Sequence, residues 1–514
     1  MSENYTKDLR KLLEVYNPWW NDSKWYERDQ LILEYQQGAF RIISRLYYHI
    51  KRRIVIPGKY GIVTIRGPRR SGKTTMIKLV IKDLIEEYGI DPSNIFYISL
   101  DYSGLKDIKL FEILRNIADV RGNEKYVFLD EVSMYEDWAL ELKNTFDANI
   151  VSRGKLKIVA TGSHSMDLAE AVEKLRGRQG DLAREFNVSG NLLYTPLRFP
   201  EVVESINKEV MSLFNKTKFR RVSNRFNILK NLSEGIVNDE LKELYDSYFD
   251  IFSQLFENYF MHGGYPKAVK EFYELKSISK ELYADLTELL ISDSKKAGLD
   301  ANTLKILLTD HLTKPEKLSG ILNLSNIELK NVKKSELQKY LRYLISTWAF
   351  FLSYSERRDE KCEPNYKDNE HLKLYVLDPF IFHALHSYIN NTSNPFEESK
   401  KLVEKPEFQG LLVESIIASH MVLSQQLFEH VPQVNYDKIL MYTTGGNEDH
   451  EIDFVLCINK NNEIQRFLIE SKYRWQIHKT ALPPKTIVLT KKMLEVDKEN
   501  KIVYIPTSIF LMLF

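Results

Sequence analysis

The residues best placed to do chemistry form one run, Gly67-Pro-Arg-Arg-Ser-Gly-Lys-Thr74, with Thr75 behind it. Its spacing is that of a P-loop. Glycines let successive backbone N–H groups wrap an anion at a helix N-terminus, where aligned peptide dipoles favour negative charge. Gly67, Pro68, Arg69, Arg70, Ser71, Gly72, Lys73, Thr74 and Thr75 are therefore the expected cradle for ATP. Lys73 would neutralise the β- and γ-phosphate oxygens, and the Thr74 hydroxyl would turn to Mg²⁺. Downstream, Tyr126-Val-Phe-Leu-Asp-Glu131 is an apolar strand ending in two carboxylates. Asp130 is expected in the Mg²⁺ shell and Glu131 as the base that orients and deprotonates the attacking water. Lys157-Ile-Val-Ala-Thr-Gly-Ser163 ends in small polar residues, so Thr161 or Ser163 is the expected γ-phosphate sensor. Arg178, with Arg176 beside it, is the candidate arginine finger, acting across a subunit boundary if the chain forms homo-oligomers.

A second acidic group lies near the other end. Glu414 falls on an amphipathic helical pattern over 408–423, Asp453 opens a strand over 452–458, and Ile469-Glu-Ser-Lys472 closes the next. A two-residue turn at Asn461-Asn462 would set Asp453 opposite Glu470, with Cβ atoms about 5 Å apart. Lys472 would share that face. Two carboxylates and a lysine there suit Mg²⁺ or Mn²⁺, with a cation to act on water or the leaving charge. The plain alternative is an acid–base ladder on a sheet edge. His450 and His478 read as surface groups, and no zinc cluster is expected.

These residues need elements to hold them. Apolar strands at 61–67, 95–100, 126–130 and 157–161 alternate with helical patterns at 73–88, 108–120 and 138–151, which indicates a parallel sheet covered on both faces. From 201 to 300 the pattern is helical, broken by His262-Gly-Gly-Tyr-Pro266; from 301 to 366 three short helical patterns and a strand at 349–354 suit a winged helix. Polar joints fall at 367–369 and 391–395, and the remainder returns to mixed helix and strand. The expected organisation is an α/β multidomain chain: an aromatic-rich arm over 1–45, a P-loop core over 46–200, a helical segment over 201–300, a winged helix over 301–366 and a mixed α/β domain over 367–514.

Composition sets bounds. With 514 residues, 43% hydrophobic and 28% charged, the chain is globular and too long for one ordinary core. A net charge of +1, from 72 basic and 71 acidic residues, excludes a general polyanion sponge. Yet Arg41 to Lys82 holds 12 Lys or Arg and no acid, leaving Arg45, Lys51, Arg52 and Arg53 to face a polyanion or plain solvent. No apolar run approaches the roughly 20 residues of a membrane span, and no secretory pattern opens the chain. A cytoplasmic setting is expected, with Cys362 and Cys457 as free thiols rather than a disulfide.

Several landmarks then go together: Asn17-Pro-Trp-Trp20, Arg66-Gly-Pro-Arg69, Phe128-Leu-Asp-Glu131, Thr161-Gly-Ser163, Gly177-Arg178, Pro196-Leu-Arg-Phe-Pro-Glu201, Gly263-Gly-Tyr-Pro266 and Lys373-Leu-Tyr-Val-Leu-Asp378. With them the chain resembles archaeal and bacterial AAA+-like ATPases whose C-terminal domain has a restriction-endonuclease-like core. The resemblance implies an ATPase core of the ASCE/AAA+ type, a helical lid, a winged helix and a PD-(D/E)XK module, with Glu414 matching the helix-borne acid. The resulting expectation is an ATPase coupled to a metal-dependent, DNA-directed nuclease, the duplex contacts coming from 330–342. Two rivals stand beside it: a nucleotide-driven switch whose C-terminal domain binds a protein partner, and a DNA-binding loader that does not cleave.

Overall fold

Strands buried on both faces need apolar residues at consecutive positions, and the N-terminal part of the chain supplies them. In the computed structural model, β1 (Gly61–Arg66), β3 (Lys125–Asp130) and β4 (Leu156–Gly162) are buried at every position, and β2 (Ile95–Ser99) at all but its last. The structure describes residues 11, 13–101, 108–120, 122–163, 174–186, 191–216, 221–312, 321–323, 334–357, 359, 361–367, 371–423, 436–443, 451–460, 463–474 and 482–514. They fall into two compact units that meet at Thr195 and Pro196.

In the first unit a fifth strand, β5 (Asn191–Leu193), joins the four expected ones in the order β2-β3-β4-β1-β5, all parallel. The acidic strand β3 is thus separated from the P-loop strand β1 by β4. The carboxyl end of β4 therefore opens between the loop and the acidic pair. The helices used below are α1 (Gln30–Gln37), α2 (Arg45–Ile54), α3 (Lys73–Glu86), α4 (Leu110–Asp119), α5 (Trp138–Asp147), α6 (Ile150–Arg153) and α7 (Gly180–Glu185). One core packs Leu110, Ile113, Leu114 and Leu142 against Ile62, Val127 and Ile158. The other packs Ile77, Val80, Leu84, Ile50, Trp19 and Trp25 against Val63, Phe128 and Val159. Both faces are covered, as the strand composition requires. The single helix expected over 138–151 is two, because Asn149 adopts a left-handed backbone with φ +57°, a conformation asparagine tolerates better than most residues.

Part of the basic run has partners inside this unit. Lys51 reaches Asp83 at 2.8 Å and Glu87 at 2.6 Å, Lys59 reaches Glu185 at 3.1 Å, and Arg53 Nε donates to the Glu185 carbonyl at 2.6 Å. Of the four residues singled out, Arg52 is the exposed one. Sequence counting missed the acids because they come from α3 and α7, up to 132 residues away.

Among the described residues, the second unit holds a nine-stranded mixed sheet in the order β13-β14-β12-β11-β10-β9-β7-β8-β6. Its strands are β6 (Ile321–Asn323), β7 (Phe350–Ser355), β8 (His371–Val376), β9 (Leu440–Thr443), β10 (Ile452–Lys460), β11 (Glu463–Lys472), β12 (Thr486–Thr490), β13 (Glu495–Asp497) and β14 (Ile502–Pro506). The helices used below are α8 (Phe199–Ile206), α9 (Asp239–His262), α10 (Pro266–Leu275), α11 (Pro379–Asn390), α12 (Pro406–Leu423) and α13 (Thr507–Leu511). The sheet runs through the joint expected at 366/367: β7, assigned by sequence to a winged helix, pairs with β8 on one side and β9 on the other. An apolar strand buried at four of six positions needs neighbours on both edges, and a local pattern does not say which. Much of the winged-helix segment, 313–320 and 324–333, lies outside the described residues, as do the joint at 368–369, the Asn461-Asn462 turn, His450 and His478.

The hairpin register is the expected one. Phe454 pairs with Ile469, Val455 with Leu468, and so on to Lys460 with Glu463. Helix α12, expected to be amphipathic, is buried on nearly every side, with Glu414 the main polar interruption. The terminal Phe510 to Phe514 are buried on α13 and just beyond it. The two cysteines are joined: Cys362 and Cys457, 95 residues apart, form a disulfide with Cα atoms 6.0 Å apart. The expectation of free thiols fails because β10 carries Cys457 to the loop after β7, at a separation a disulfide spans. Gly263 and Gly264 end α9 against Asp378. The Asp378 carboxylate accepts from Gly264 N at 2.7 Å and Phe380 N at 2.8 Å, and a Cβ on Gly263 would lie 2.0 Å from Asp378 Oδ1. These landmarks thus build one structural joint. Among the described residues, no helix is long and apolar enough to cross a membrane.

Candidate functional site

The loop after β1 starts where no side chain fits. A Cβ on Gly67 would stand 1.7 Å from the Tyr194 carbonyl oxygen. Arg70 (φ +65°) and Gly72 (φ +100°) are left-handed, which turns the backbone into α3. The Ser71 hydroxyl closes the turn on the Pro68 carbonyl at 2.8 Å. Lys73 and Thr74 begin α3, with Thr75 next, and Arg69 reaches toward Met134. Lys73 is buried, and its ammonium donates to the Gly67 and Pro68 carbonyls, both at 2.9 Å. Burial pushes its pKa down to about 8; the Glu131 and Asp130 charges oppose that, and Arg69 adds to it. A buried ammonium whose hydrogen-bond partners, among the described residues, are two carbonyls matches a phosphate that would supply the counter-charge. The cradle therefore fits a nucleotide triphosphate.

Asp130 ends β3 buried, with three hydroxyls on its carboxylate. Thr74 Oγ1 and Tyr97 OH donate to Oδ2, each at 2.9 Å, and Thr161 Oγ1 donates to Oδ1. A hard carboxylate beside the Thr74 hydroxyl is the donor set Mg²⁺ takes. Glu131 follows with φ +53°, a left-handed backbone unusual for this residue. The Ser163 hydroxyl lies 2.8 and 2.6 Å from its two carboxylate oxygens and, having one proton, donates to one at a time. The structure thus brings together Lys73, Thr74, Asp130, Glu131, Thr161 and Ser163 from three strand ends. Sequence reasoning missed Tyr97. The available signal was a tyrosine in an apolar strand, whose hydroxyl needs a buried partner.

Arg178 is not at this site in its own chain. It sits two residues before Gly180, which bridges to Gly61 at the start of β1, whereas the P-loop leaves the end of that strand. Its guanidinium is paired with Asp147 at 2.8 Å, and Arg176 is exposed. A cavity of about 500 Å³ lies at that same remote end, lined by Tyr60, Phe146, Gly177 and Gly180.

In the second unit, Asp453 and Glu470 are neighbours across the hairpin. Asp453 N donates to Glu470 Oε2 at 3.2 Å, and Ser471 N donates to Asp453 Oδ2 at 2.9 Å. Lys472 reaches Glu470 Oε1 at 2.6 Å. Glu414 comes from α12, with its Oε2 inaccessible to solvent and, among the described residues, without a hydrogen-bond partner. Burial, then the Asp453 charge, pushes the Glu414 carboxyl well up, and burial raises Glu470 too. Sequence reading gave no role to Lys373 on β8. Its buried ammonium lies 3.6 Å from both Asp453 Oδ1 and Glu451 Oε1. Burial would lower Lys373, but Asp453, Glu414 and Glu451 outweigh it and raise it. The orphaned Glu414 oxygen suits a cation. The geometry is looser than the sequence suggested, because Glu414, Asp453 and Glu470 do not form a trio with one oxygen each within 4.8 Å of the others.

Residues 59–203 match a family described as an AAA domain, and residues 253–393 match a domain of unknown function (DUF8612). An uncharacterized protein of Methanocaldococcus jannaschii, MJ1637, is 26% identical over 332 residues, covering 56% of this chain and 62% of that relative's length. Among solved structures, the Aeropyrum pernix ORC1 protein in complex with DNA is similar at TM-score 0.31 and 12% identity, covering 68% of this chain and 92% of that one. The S. cerevisiae Hsp104-ADP complex is similar at TM-score 0.26 and 16% identity, covering 78% and 48%. Likeness at that level carries no functional argument. The matched AAA domain and the five-stranded parallel sheet agree: the first unit contains an AAA+-like P-loop core.

Proposed function

We propose that the first unit binds ATP with Mg²⁺ and hydrolyses it. The observation that carries this reading is Thr74 meeting Asp130 beside a buried, carbonyl-held Lys73. Gly67 through Thr75 would hold the phosphates, and Thr74 with Asp130 would hold the ion, which when bound supplies charge neutralisation to the phosphoryl oxygens. Glu131 takes the proton of the attacking water, and Ser163 holds the Glu131 carboxylate where it can do so. Arg178 would act only on the phosphate of a second copy, since its own chain keeps it elsewhere. The test is ATP turnover by the whole chain. Lys73→Ala should lose nucleotide binding, and Glu131→Gln should bind and fail to hydrolyse. Turnover by Lys73→Ala at the wild-type rate would refute the reading.

A second reading concerns Asp453, Glu470 and Lys472, and we propose a metal-assisted phosphodiesterase acting on DNA. The register that sets Asp453 against Glu470, and the orphaned Glu414 oxygen, favour it. Cleavage assays on DNA and RNA with Mg²⁺ or Mn²⁺ test it, with Asp453→Ala as control. Binding without cleavage would leave a nucleic-acid-binding module or a protein-partner switch.

A further inference from the structure

The carboxylate of Asp130 is held by more than the nucleotide motifs. Thr74 and Thr161 belong to the P-loop helix and to β4, but Tyr97, the third hydroxyl, belongs to β2, the edge strand of the sheet. Thr74 has a second duty if it turns to Mg²⁺, whereas Tyr97 does not. The Tyr97 ring is buried, with the Lys78 ammonium 4.2 Å from its centroid, and Lys78 is itself 3.6 Å from Asp29.

An edge strand has a row of backbone groups without a neighbouring strand, and here side chains of the N-terminal arm supply the partners. Asn17 is fully buried. Its Oδ1 accepts from Tyr97 N at 2.6 Å, and its Nδ2 donates to the Tyr97 carbonyl at 3.0 Å. Two residues back along β2, the Trp19 and Trp20 indoles both donate to the Ile95 carbonyl, at 3.1 and 2.9 Å. A primary amide bonded to both backbone groups of one residue fixes that residue's position along the strand and its rotation about it. The aim of the Tyr97 hydroxyl is set by that rotation.

We propose that Tyr97 is a positioning residue for Asp130, and that the Asn17-Pro-Trp-Trp20 arm sets Tyr97, which makes the arm part of the nucleotide machinery. The inference rests on the ATP·Mg²⁺ reading of the first unit. Tyr97→Phe removes the hydroxyl and keeps the ring under Lys78. Losing one hydrogen bond to a charged oxygen should raise the half-saturating Mg²⁺ concentration about threefold to tenfold. The maximal turnover rate should change less, and affinity for a fluorescent ADP analogue without Mg²⁺ should not change. The increase in that affinity on adding Mg²⁺, a readout independent of turnover, should shrink by the same factor. Asn17→Ala should give the same Mg²⁺ shift through an intact Tyr97. If that variant does not fold, Tyr97→Phe alone decides. Wild-type Mg²⁺ dependence in Tyr97→Phe, while Lys73→Ala still abolishes binding, would overturn the inference and leave the ATP site standing. A wild-type chain that binds no nucleotide would overturn both.

Discussion

Lys73 offers a test in which the structure supplies the magnitude. Its ammonium is buried against two carbonyls, and burial holds its pKa at about 8. The charged form is the one a triphosphate needs, and bound phosphates would return the pKa toward the ordinary lysine value of about 10.4. ATP binding should therefore take up a proton whenever the free protein has lost it. Free Lys73 is protonated in about nine molecules in ten at pH 7, half at pH 8 and about one in ten at pH 9. Affinity for ATP should accordingly fall about tenfold from pH 7 to pH 9, or about 1.4 kcal/mol. The phosphates contribute little to that change, because their last pKa lies near about 6. The assay is a fluorescent-nucleotide titration at fixed ionic strength across pH 7 to 9, with calorimetry at pH 8 in buffers of different ionisation enthalpy. Those buffers should report about half a proton taken up per site. Lys73→Met should bind weakly with no such slope. Wild-type affinity that is flat across this range, with no proton uptake at pH 8, would refute the assignment of Lys73 as the phosphate cation.

Two further predictions concern the second unit. Gly263→Ala places a Cβ 2.0 Å from Asp378 Oδ1 on a backbone with φ +54°; urea unfolding should show a loss of about 1–3 kcal/mol, and an unchanged midpoint would mean that the joint relaxes freely. His420 accepts from Phe199 N at 2.7 Å through Nε2 and donates through Nδ1 to the Ile416 carbonyl at 2.7 Å, and burial pushes its pKa down to about 3. The folded pKa lies below the unfolded one, so this stabilisation is complete above about pH 6.5 and fades as pH falls toward 3. Between pH 6 and 4, wild-type stability should drop more steeply than that of His420→Gln by about 1.4 kcal/mol per pH unit; parallel curves would show the ring already charged in the fold.

Geometry that depends on neighbours in sequence was legible in it. The Gly67–Thr75 loop, the Asp130-Glu131 strand end and the Asp453–Glu470 pairing each follow from spacing within one or two elements. A two-residue turn fixes the register of a hairpin, and a P-loop fixes its own helix start. The strands of the parallel core were legible because burial on both faces demands consecutive apolar residues. The break at Asn149, the short strand β5 and the continuation of one sheet across 366/367 were not, since each depends on what the rest of the chain packs there.

The sequence by itself determined where the loop turns into a helix and which strand carries the acids, because those properties belong to residue type and local geometry. Only the tertiary structure decided which groups stand beside them. Tyr97 reaches Asp130 from an edge strand clamped by Asn17, 80 residues earlier. Arg178 is retained by Asp147 at the far end of β1, Lys373 enters the acidic site from β8, and Cys362 meets Cys457 across 95 residues. Each of these depends on where a distant strand or loop is carried by the packing of the core, and no spacing along the chain encodes that position.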